Sequence, residues 1–163
     1  MTTAQQLSVE LQQQAAATRK VLERIPDDRL AWKPHEKSTA IGRLGMHLSE
    51  LPGGITRTLA TEEFDYAATP FKPVYPNSVR EILDNFDKTL AGAVGALEKA
   101  TDEQLSVKWR ARRGDQIVSE LPRGTVIRNT INHIFHHRGQ MTVYLRLLDI
   151  PVPKTFGPTA DER

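Results

Sequence analysis

The stretch LPRGTVIRNTINHIFHHRGQMTVYLRLLDIPVP, residues 121–153, decides the fold and contains three of the five histidines of the chain. Pro122 stands where the start of a helix tolerates proline, because the first N–H groups of a helix have no partner within it. Apolar residues then recur at helical spacing until the proline-rich tail. We therefore predict one helix from about Arg123 to Leu148, on the order of 40 Å long at about 1.5 Å per residue.

Two of the three histidines share one face of this predicted helix. His133 and His137 are four residues apart, so their side chains lie one above the other, whereas the side chain of His136 leaves the helix about 100° from that of His137. Neutral imidazole binds zinc, nickel, iron and copper, and an i, i+4 pair can offer two ligands to one ion. A thermolysin-like protease would need glutamate directly after the first histidine, where this chain has Ile134.

Two more helices are predicted in the first part of the chain. Residues 3–25 carry leucine and alanine at helical spacing and end at a proline. The second predicted helix is capped by Ser38, has an apolar stripe from Ile41 to Ile55, and should be kinked or interrupted at Pro52-Gly53-Gly54. His47 lies at the flank of this stripe and faces inward. If this helix and the last one are neighbours, His47, His133 and His137 can hold one ion, although a lone histidine on an apolar face is more often a core residue.

The remaining segments complete an all-α prediction. Asn77 or Ser78 caps a third helix whose apolar stripe runs to Leu97. Residues 64–76 form an aromatic, proline-rich loop, and residues 101–121 suggest a short irregular hairpin. We predict a four-helix bundle in a single domain, residues 1–163, with long connections between helices 2 and 3 and between helices 3 and 4.

Composition restricts the classes of partner. The net charge of +2 is too small for overall electrostatic attraction to predict binding to nucleic acid or to a membrane. No apolar run is long enough for a membrane span. The segment KWRARR, residues 108–113, offers a nucleic-acid alternative, but a solvated hairpin face is favoured over base stacking. The absence of cysteine and of a signal-peptide pattern predicts a cytoplasmic protein.

Four segments resemble one known family. They are ERIPDDRLAWKP (23–34), GRLGMHLSELPG (42–53), residues 121–153 with the pattern N-H-x-x-H-H-R-G-Q, and FGPTADE (156–162). Together, and in this order, they resemble the DinB/YfiT-like family of metalloenzymes over most of the chain. The resemblance implies a bundle whose helices run up, down, down, up, and a homodimer. It also implies a metal triad of His47, His133 and His137, from which His136 is excluded, and no DNA-binding role.

A three-histidine site leaves a divalent ion with an open position, which is the arrangement of catalytic rather than structural sites. Zinc or nickel is expected first, with iron or copper as alternatives. The resemblance implies a thiol-dependent S-transferase acting on small molecules, with a low-molecular-weight thiol as one substrate; hydrolysis is disfavoured. The alternative is a non-catalytic dimeric protein that binds a metal or a small ligand, and occupation of the open position by Asp161 or Glu162 would favour it.

Several residues are candidates to assist such a site. Arg138 and Gln140 follow the histidines on the same helix and are candidates to support them, since a histidine ligand commonly donates its second N–H to a neighbouring group. For Arg138, an ion pair with a carboxylate inside the bundle is favoured over this role. The four carboxylates that could supply a base are Glu50, Glu62, Glu63 and Asp65. No catalytic residue is assigned. Substrate contacts are expected to vary in the segments 64–76 and 101–121.

Overall fold

The computed structural model describes residues 1–70 and 72–162, and this part of the chain is mostly helical. Its five α-helices are α1 (Thr3–Glu23), α2 (Ile41–Ala60), α3 (Val79–Lys99), α4 (Asp102–Ser106) and α5 (Arg123–Leu147). A short 3-10 helix spans Asp27–Arg29, and three strands are β1 (Glu63–Asp65), β2 (Lys108–Arg113) and β3 (Gln116–Pro122). None of the helices in the described residues is both long and apolar enough to cross a membrane.

The starts of α2 and α3 test the predicted caps. Ser78 caps α3 as predicted, and its hydroxyl accepts a hydrogen bond from the N–H of Glu81. The predicted cap at Ser38 is wrong, because α2 begins only at Ile41. The N–H groups of Ile41 and Gly42 donate to the main-chain oxygens of Trp32 and Leu30, at 2.8 and 3.0 Å. Main-chain oxygens of the connector before α2 thus accept the hydrogen bonds that a capping side chain would otherwise accept.

Helix α2 continues through Pro52, so the interruption predicted at Pro52-Gly53-Gly54 does not occur. Proline inside a helix costs about 3 kcal/mol or more, because it removes a hydrogen bond and crowds the preceding turn. Leu48 and Ile55, on either side of it, are fully buried. Burial of side chains along this helix offsets the local cost, which the sequence pattern alone does not show.

The all-α prediction is wrong, because the described residues include a small sheet of order β1-β2-β3. Strands β2 and β3 form the hairpin predicted within residues 101–121, with an irregular register between Ala111 and Arg112. Strand β1 pairs with β2 in parallel and was not predicted. It has only three residues, too few for alternation to be visible in the sequence.

Cations of the basic segment KWRARR, residues 108–113, form ion pairs within the sheet. Lys108 and Arg110 both pair with Glu120, and Arg112 pairs with Glu63 and Asp65 of β1. Trp109 is buried, and its ring N–H donates to the hydroxyl of Thr61 at 3.1 Å. The cations hold the sheet together and the indole packs beneath it, so this tryptophan is not placed to stack on a base.

Helices α2 and α3 run in the same direction at close range. A Cβ added to Gly45 would lie 2.7 Å from Cδ1 of Ile25 and 3.1 Å from Cδ1 of Ile82, so a larger residue would require these side chains to shift. One turn further along, Asn85 donates to the hydroxyl of Ser49 at 2.8 Å. Positions therefore increase together along both helices.

Helices α2 and α5 run in opposite directions. Near the end of α2, the guanidinium of Arg123 at the start of α5 donates to the main-chain oxygen of Thr58 at 3.0 Å. In the middle of α2, Gly54 lies beside Thr130. Nearer the start of α2, the ring of His47 lies 4.7 Å from that of His137, measured between centroids. This antiparallel packing brings together histidines that are distant in sequence.

Candidate metal centre

Helix α5 places His133 and His137 in direct contact, as their spacing predicts. The Nε2 atoms of the two rings are 2.7 Å apart, and their centroids are 4.5 Å apart. Helical geometry alone produces this pair, since residues four apart lie on the same face.

Helix α2 adds His47 to the pair. Its ring centroid lies 5.3 Å from that of His133 and 4.7 Å from that of His137. One nitrogen from each of the three rings lies within 4.8 Å of the other two. His133 is exposed, whereas His47 and His137 are partly buried, so the cluster is open to solvent on one side. These three residues are called the histidine cluster below.

The other two histidines lie outside the cluster. The ring of His136 is centred 4.9 Å from that of His137 and 6.4 Å from that of His133, and the residue is exposed. His35 lies on the exposed connector before α2, where its Nδ1 accepts a hydrogen bond from the N–H of Lys37. Sequence proximity therefore does not decide membership: distant His47 is included and adjacent His136 is not.

Gln140 fixes the orientation of one ring. Its side-chain oxygen lies 2.7 Å from Nδ1 of His137, a contact in which Nδ1–H donates and the amide oxygen accepts. With the proton on Nδ1, the Nε2 atom carries a lone pair, and this atom faces His133. Gln140 therefore holds His137 in the tautomer that a metal ligand needs.

Glu50 plays a comparable part at His47. Its Oε2 atom lies 3.7 Å from Nδ1 of His47 and 3.1 Å from a terminal nitrogen of the buried Arg43. Burial acts to raise the pKa of the Glu50 carboxyl, but the nearby ring of His47 and the charge and hydrogen bond of Arg43 prevail and lower it. Glu50 is therefore ionised, and it lies beside Nδ1 of His47. The nitrogen of His47 that Glu50 does not contact is Nε2.

Burial and mutual proximity keep the two α5 histidines neutral. Burial, with the nearby charges of His47 and His136, lowers the pKa of His133. Burial is also the main cause that lowers the pKa of His137 to about 4, although the hydrogen bond to Gln140 acts in the opposite direction. Neutral rings at ordinary pH present lone pairs, and metal binding by histidine requires them.

The cluster fits a divalent ion with small adjustments. Two nitrogens bound to tetrahedral zinc at about 2.0–2.1 Å are about 3.3 Å from each other. The 2.7 Å separation between His133 and His137 is shorter than this, and the 4.8 Å limit of the cluster is longer. Shifts of about 1 Å in three side chains of partly exposed residues reconcile the two, within what rotamer adjustment allows.

Arg138, a candidate to support the ligands, contacts α1. Its guanidinium donates to the main-chain and side-chain oxygens of Gln14, at 3.2 and 3.0 Å, and to the hydroxyl of Thr18 at 3.4 Å. The rings of Phe135 and Phe156 lie 5.2 and 4.9 Å from its central carbon. These contacts tie α5 to α1, on a side of α5 away from α2.

The candidate carboxylates are also distributed unevenly. Glu63 and Asp65 pair with Arg112 in the sheet, whereas Glu50 contacts the histidine cluster. Glu62 is exposed, and its main-chain oxygen accepts from Arg110.

The two acids of the C-terminal tail are engaged elsewhere. Asp161 pairs with Arg146 and accepts from the N–H of Val152. Glu162 pairs with Arg24 and accepts from the N–H of Lys154. Neither carboxylate closes the cluster.

A cavity of about 820 Å³ adjoins the histidine cluster. His47 and His137 line one part of it, and the connector before α2, the first turn of α2 and the loop before α3 line the rest. Among the described residues, its walls include Leu30, Ala31, Lys33, Ser38, Thr39, Ala40, Arg43, Leu44, His47, Pro73, Tyr75, Pro76 and His137. Of the two segments expected to vary substrate contacts, 64–76 contributes to the wall.

Arg43 and Lys33 were missed by the sequence analysis. A signal for Arg43 was available, because it precedes His47 by four residues and therefore shares its face of α2. Lys33 lies in the connector, whose path the sequence does not show. A mostly helical chain that gathers three histidines beside a solvent-open cavity is a candidate metalloprotein.

Comparison with known proteins assigns the family. The model of the DinB family matches residues 1–162, so the chain belongs to the DinB family. The uncharacterized protein YrdA of Bacillus subtilis is 29% identical over 150 residues, which cover 91% of this chain and 85% of YrdA.

Solved structures agree with this assignment. A DinB-like protein of Bacillus cereus matches with a TM-score of 0.69 and 26% identity, over 88% of this chain and 91% of its own. The DinB-like protein YjoA of Bacillus subtilis matches with a TM-score of 0.71 and 18% identity, over 97% of this chain and 99% of its own. The second match supports the fold alone.

Proposed function

We propose that this protein is a metal-dependent enzyme in which His47, His133 and His137 bind a divalent ion, and that it transfers a thiol to a small molecule. The observation that carries the proposal is the convergence of three ring nitrogens within 4.8 Å beside an open cavity. Zinc and nickel are the favoured ions, and iron and copper also suit three imidazoles.

The residues of the chain supply binding, orientation and charge. When bound, the ion would act as a Lewis acid that lowers the pKa of a thiol placed beside it. Gln140 holds His137 with its lone pair directed at the cluster, and Glu50 attracts the other side of His47. The cavity has the volume of a small-molecule site, about 300–1,000 Å³.

Transfer of a thiol suits these residues better than hydrolysis. A general base works best with a pKa near the operating pH. The pKa of Glu50, the carboxylate nearest the cluster, is lowered, and its oxygens are engaged by His47 and Arg43. An activated thiolate needs little help from such a base, whereas attack by water needs more.

The experiment is a thiol titration of the cobalt-substituted protein, purified without a histidine tag. Metal content is measured first, and one ion per chain is expected. Added thiol should then produce a sulfur-to-cobalt charge-transfer band that His133→Ala abolishes. A cobalt protein whose spectrum no thiol changes would rule out the transferase, and a protein that binds no divalent ion would rule out the metal centre itself.

We also propose that the four long helices form an up-down-down-up bundle in one domain of residues 1–163, and that the chain is a cytoplasmic homodimer. Support for the bundle comes from the helix directions: α2 is parallel to α3 and antiparallel to α5. Helix α5 is parallel to α1, since Arg128 pairs with Glu10 and Arg138 with Gln14. Light scattering across a dilution series tests the dimer, and a constant monomer mass would contradict it.

A further inference from the structure

The cavity beside the histidine cluster has an uneven charge distribution. His47 and His137 lie at one side of it, and Lys33 and Arg43 also line it. The lining includes no aspartate or glutamate within the described residues, whereas the hydroxyl residues Ser38, Thr39 and Tyr75 are present. The wall therefore offers cations and hydrogen-bond donors without a carboxylate among them.

The two cations differ in their surroundings. Arg43 is 6% exposed and pairs with Glu50 at 3.1 Å, so part of its charge is already compensated. Lys33 is exposed, and its ammonium donates to the main-chain oxygen of Glu36 at 2.6 Å, a neutral acceptor. Within residues 1–70 and 72–162, Lys33 makes no ion pair. Lys33 is thus the cation whose charge is available to a ligand.

We propose that the cavity selects small molecules with an anionic group, carboxylate or phosphate, which Lys33 binds with help from Arg43 while the reactive group lies at the histidine cluster. The inference rests on the proposed function. It specifies in addition that the substrate is an anion and that Lys33 binds the anionic group. A cation would be repelled by the same wall, since no carboxylate among the described lining residues compensates the charge of Lys33.

Lys33 and the cluster can be reached by one small ligand. Both border the same space of about 820 Å³, which lies within the range of sites that enclose a drug-sized molecule. The ammonium sits on a flexible four-carbon stem and has three donors, so it can follow an anion in more than one position. Arg43 is buried and held in place by its ion pair with Glu50, so it contributes a positive charge at a fixed position in the cavity wall.

The test compares matched thiols with the cobalt-substituted protein, whose charge-transfer band reports binding. N-acetylcysteine carries a carboxylate that N-acetylcysteamine lacks, and 4′-phosphopantetheine carries a phosphate that pantetheine lacks. The anionic member of at least one pair is expected to bind about fivefold more tightly, the upper end for a single exposed ion pair. Which pair shows the preference identifies carboxylate or phosphate.

Lys33→Met should remove the preference, so that the anionic and neutral members of each pair bind with similar affinity. Lys37→Met is the matched control, because Lys37 is exposed on the same connector and does not line the cavity. The control removes the same charge from the chain, so a general electrostatic effect would appear in both variants.

Two kinds of failure are distinguishable. If neither member of either pair changes the cobalt spectrum, the proposed thiol transferase fails, and the anion inference, which depends on it, falls too. If the thiols bind and the anionic and neutral members have equal affinity, the thiol site stands and the anion inference is wrong. Equal loss in Lys33→Met and Lys37→Met would also overturn the role of Lys33.

Discussion

Replacement of single histidines tests whether the three-dimensional cluster, rather than sequence proximity, binds the ion. We expect His47→Ala and His133→Ala to lose most of the metal affinity, and His136→Ala to keep it. The ring of His47 is 4.7 Å from that of His137 across two helices, whereas that of His136 is at a similar 4.9 Å from the same ring but points out to solvent. Distance between ring centres alone does not separate the two; the convergence of nitrogens does.

The size of the loss follows from the number of ligands. Four-ligand zinc sites in small proteins bind with about 10–16 kcal/mol, or about 2.5–4 kcal/mol per ligand if divided equally. Loss of one of three ligands should therefore weaken binding by about 10²–10³-fold, since about 1.4 kcal/mol corresponds to a factor of ten. The change for His136→Ala should be small, because its exposed ring supplies no nitrogen to the cluster.

The assay is competition with a chromophoric chelator at pH 7.5, after circular dichroism has shown that each variant is folded. Wild type and the three variants are titrated with zinc and with nickel under identical conditions. Loss of affinity in His136→Ala with retention in His47→Ala would refute both the assigned ligands and the pairing of α2 with α5.

Other perturbations test the surroundings of the cluster. Glu50→Gln should weaken metal binding about tenfold, as measured by the same competition, because the group that orients His47 loses its charge; unchanged affinity would show that Glu50 does not position the ring. The metal-free protein should lose stability to urea as pH falls from 6.5 towards 4, because the lowered pKa values of His133 and His137 make the unfolded chain bind more protons; a His133→Gln/His137→Gln variant should show a smaller decrease. Removal of metal by a chelator should lower Tm without loss of helical circular dichroism, and unfolding on chelation would contradict this. Phe86→Ala should cost about 3–5 kcal/mol of unfolding free energy in urea titrations, because this ring is almost fully buried among α-helices.

The sequence predicted the long helices well because their evidence is repeated over many turns. The predicted starts and ends of α1, α3 and α5 agree with the structure within a few residues, and Ser78 caps α3 as expected. The predictions of secondary structure are wrong where a contact with a distant part of the chain, rather than the local sequence, determines the element. Main-chain oxygens of Trp32 and Leu30 cap α2 in place of Ser38, and Arg112 holds the three residues of β1 in the sheet.

In the candidate site, too, local features could be predicted from the sequence, whereas features that depend on tertiary contacts could not. The His133–His137 pair follows from spacing on one helix, and the contact of Gln140 with His137 follows from the same geometry. The inclusion of His47 needed the resemblance, because nothing in the pattern fixes which helices are neighbours. The cavity and the placement of Lys33 beside it depend on the path of a connector that has no periodic signal.

The packing of α2 predicts that the cluster forms without the ion. At Gly45 the side chains of Ile25 and Ile82 pack closely against the backbone of α2, two residues before His47. The fully buried Leu48 and the buried Met46, on either side of His47, fix the rotation of the helix about its axis. On the opposing helix, buried Ile134 and Arg138 do the same for the face that carries His133 and His137. Burial of these side chains therefore brings the three rings together. In a zinc finger the ion replaces a missing core; here the core comes first, and the ion would occupy a site already assembled by it.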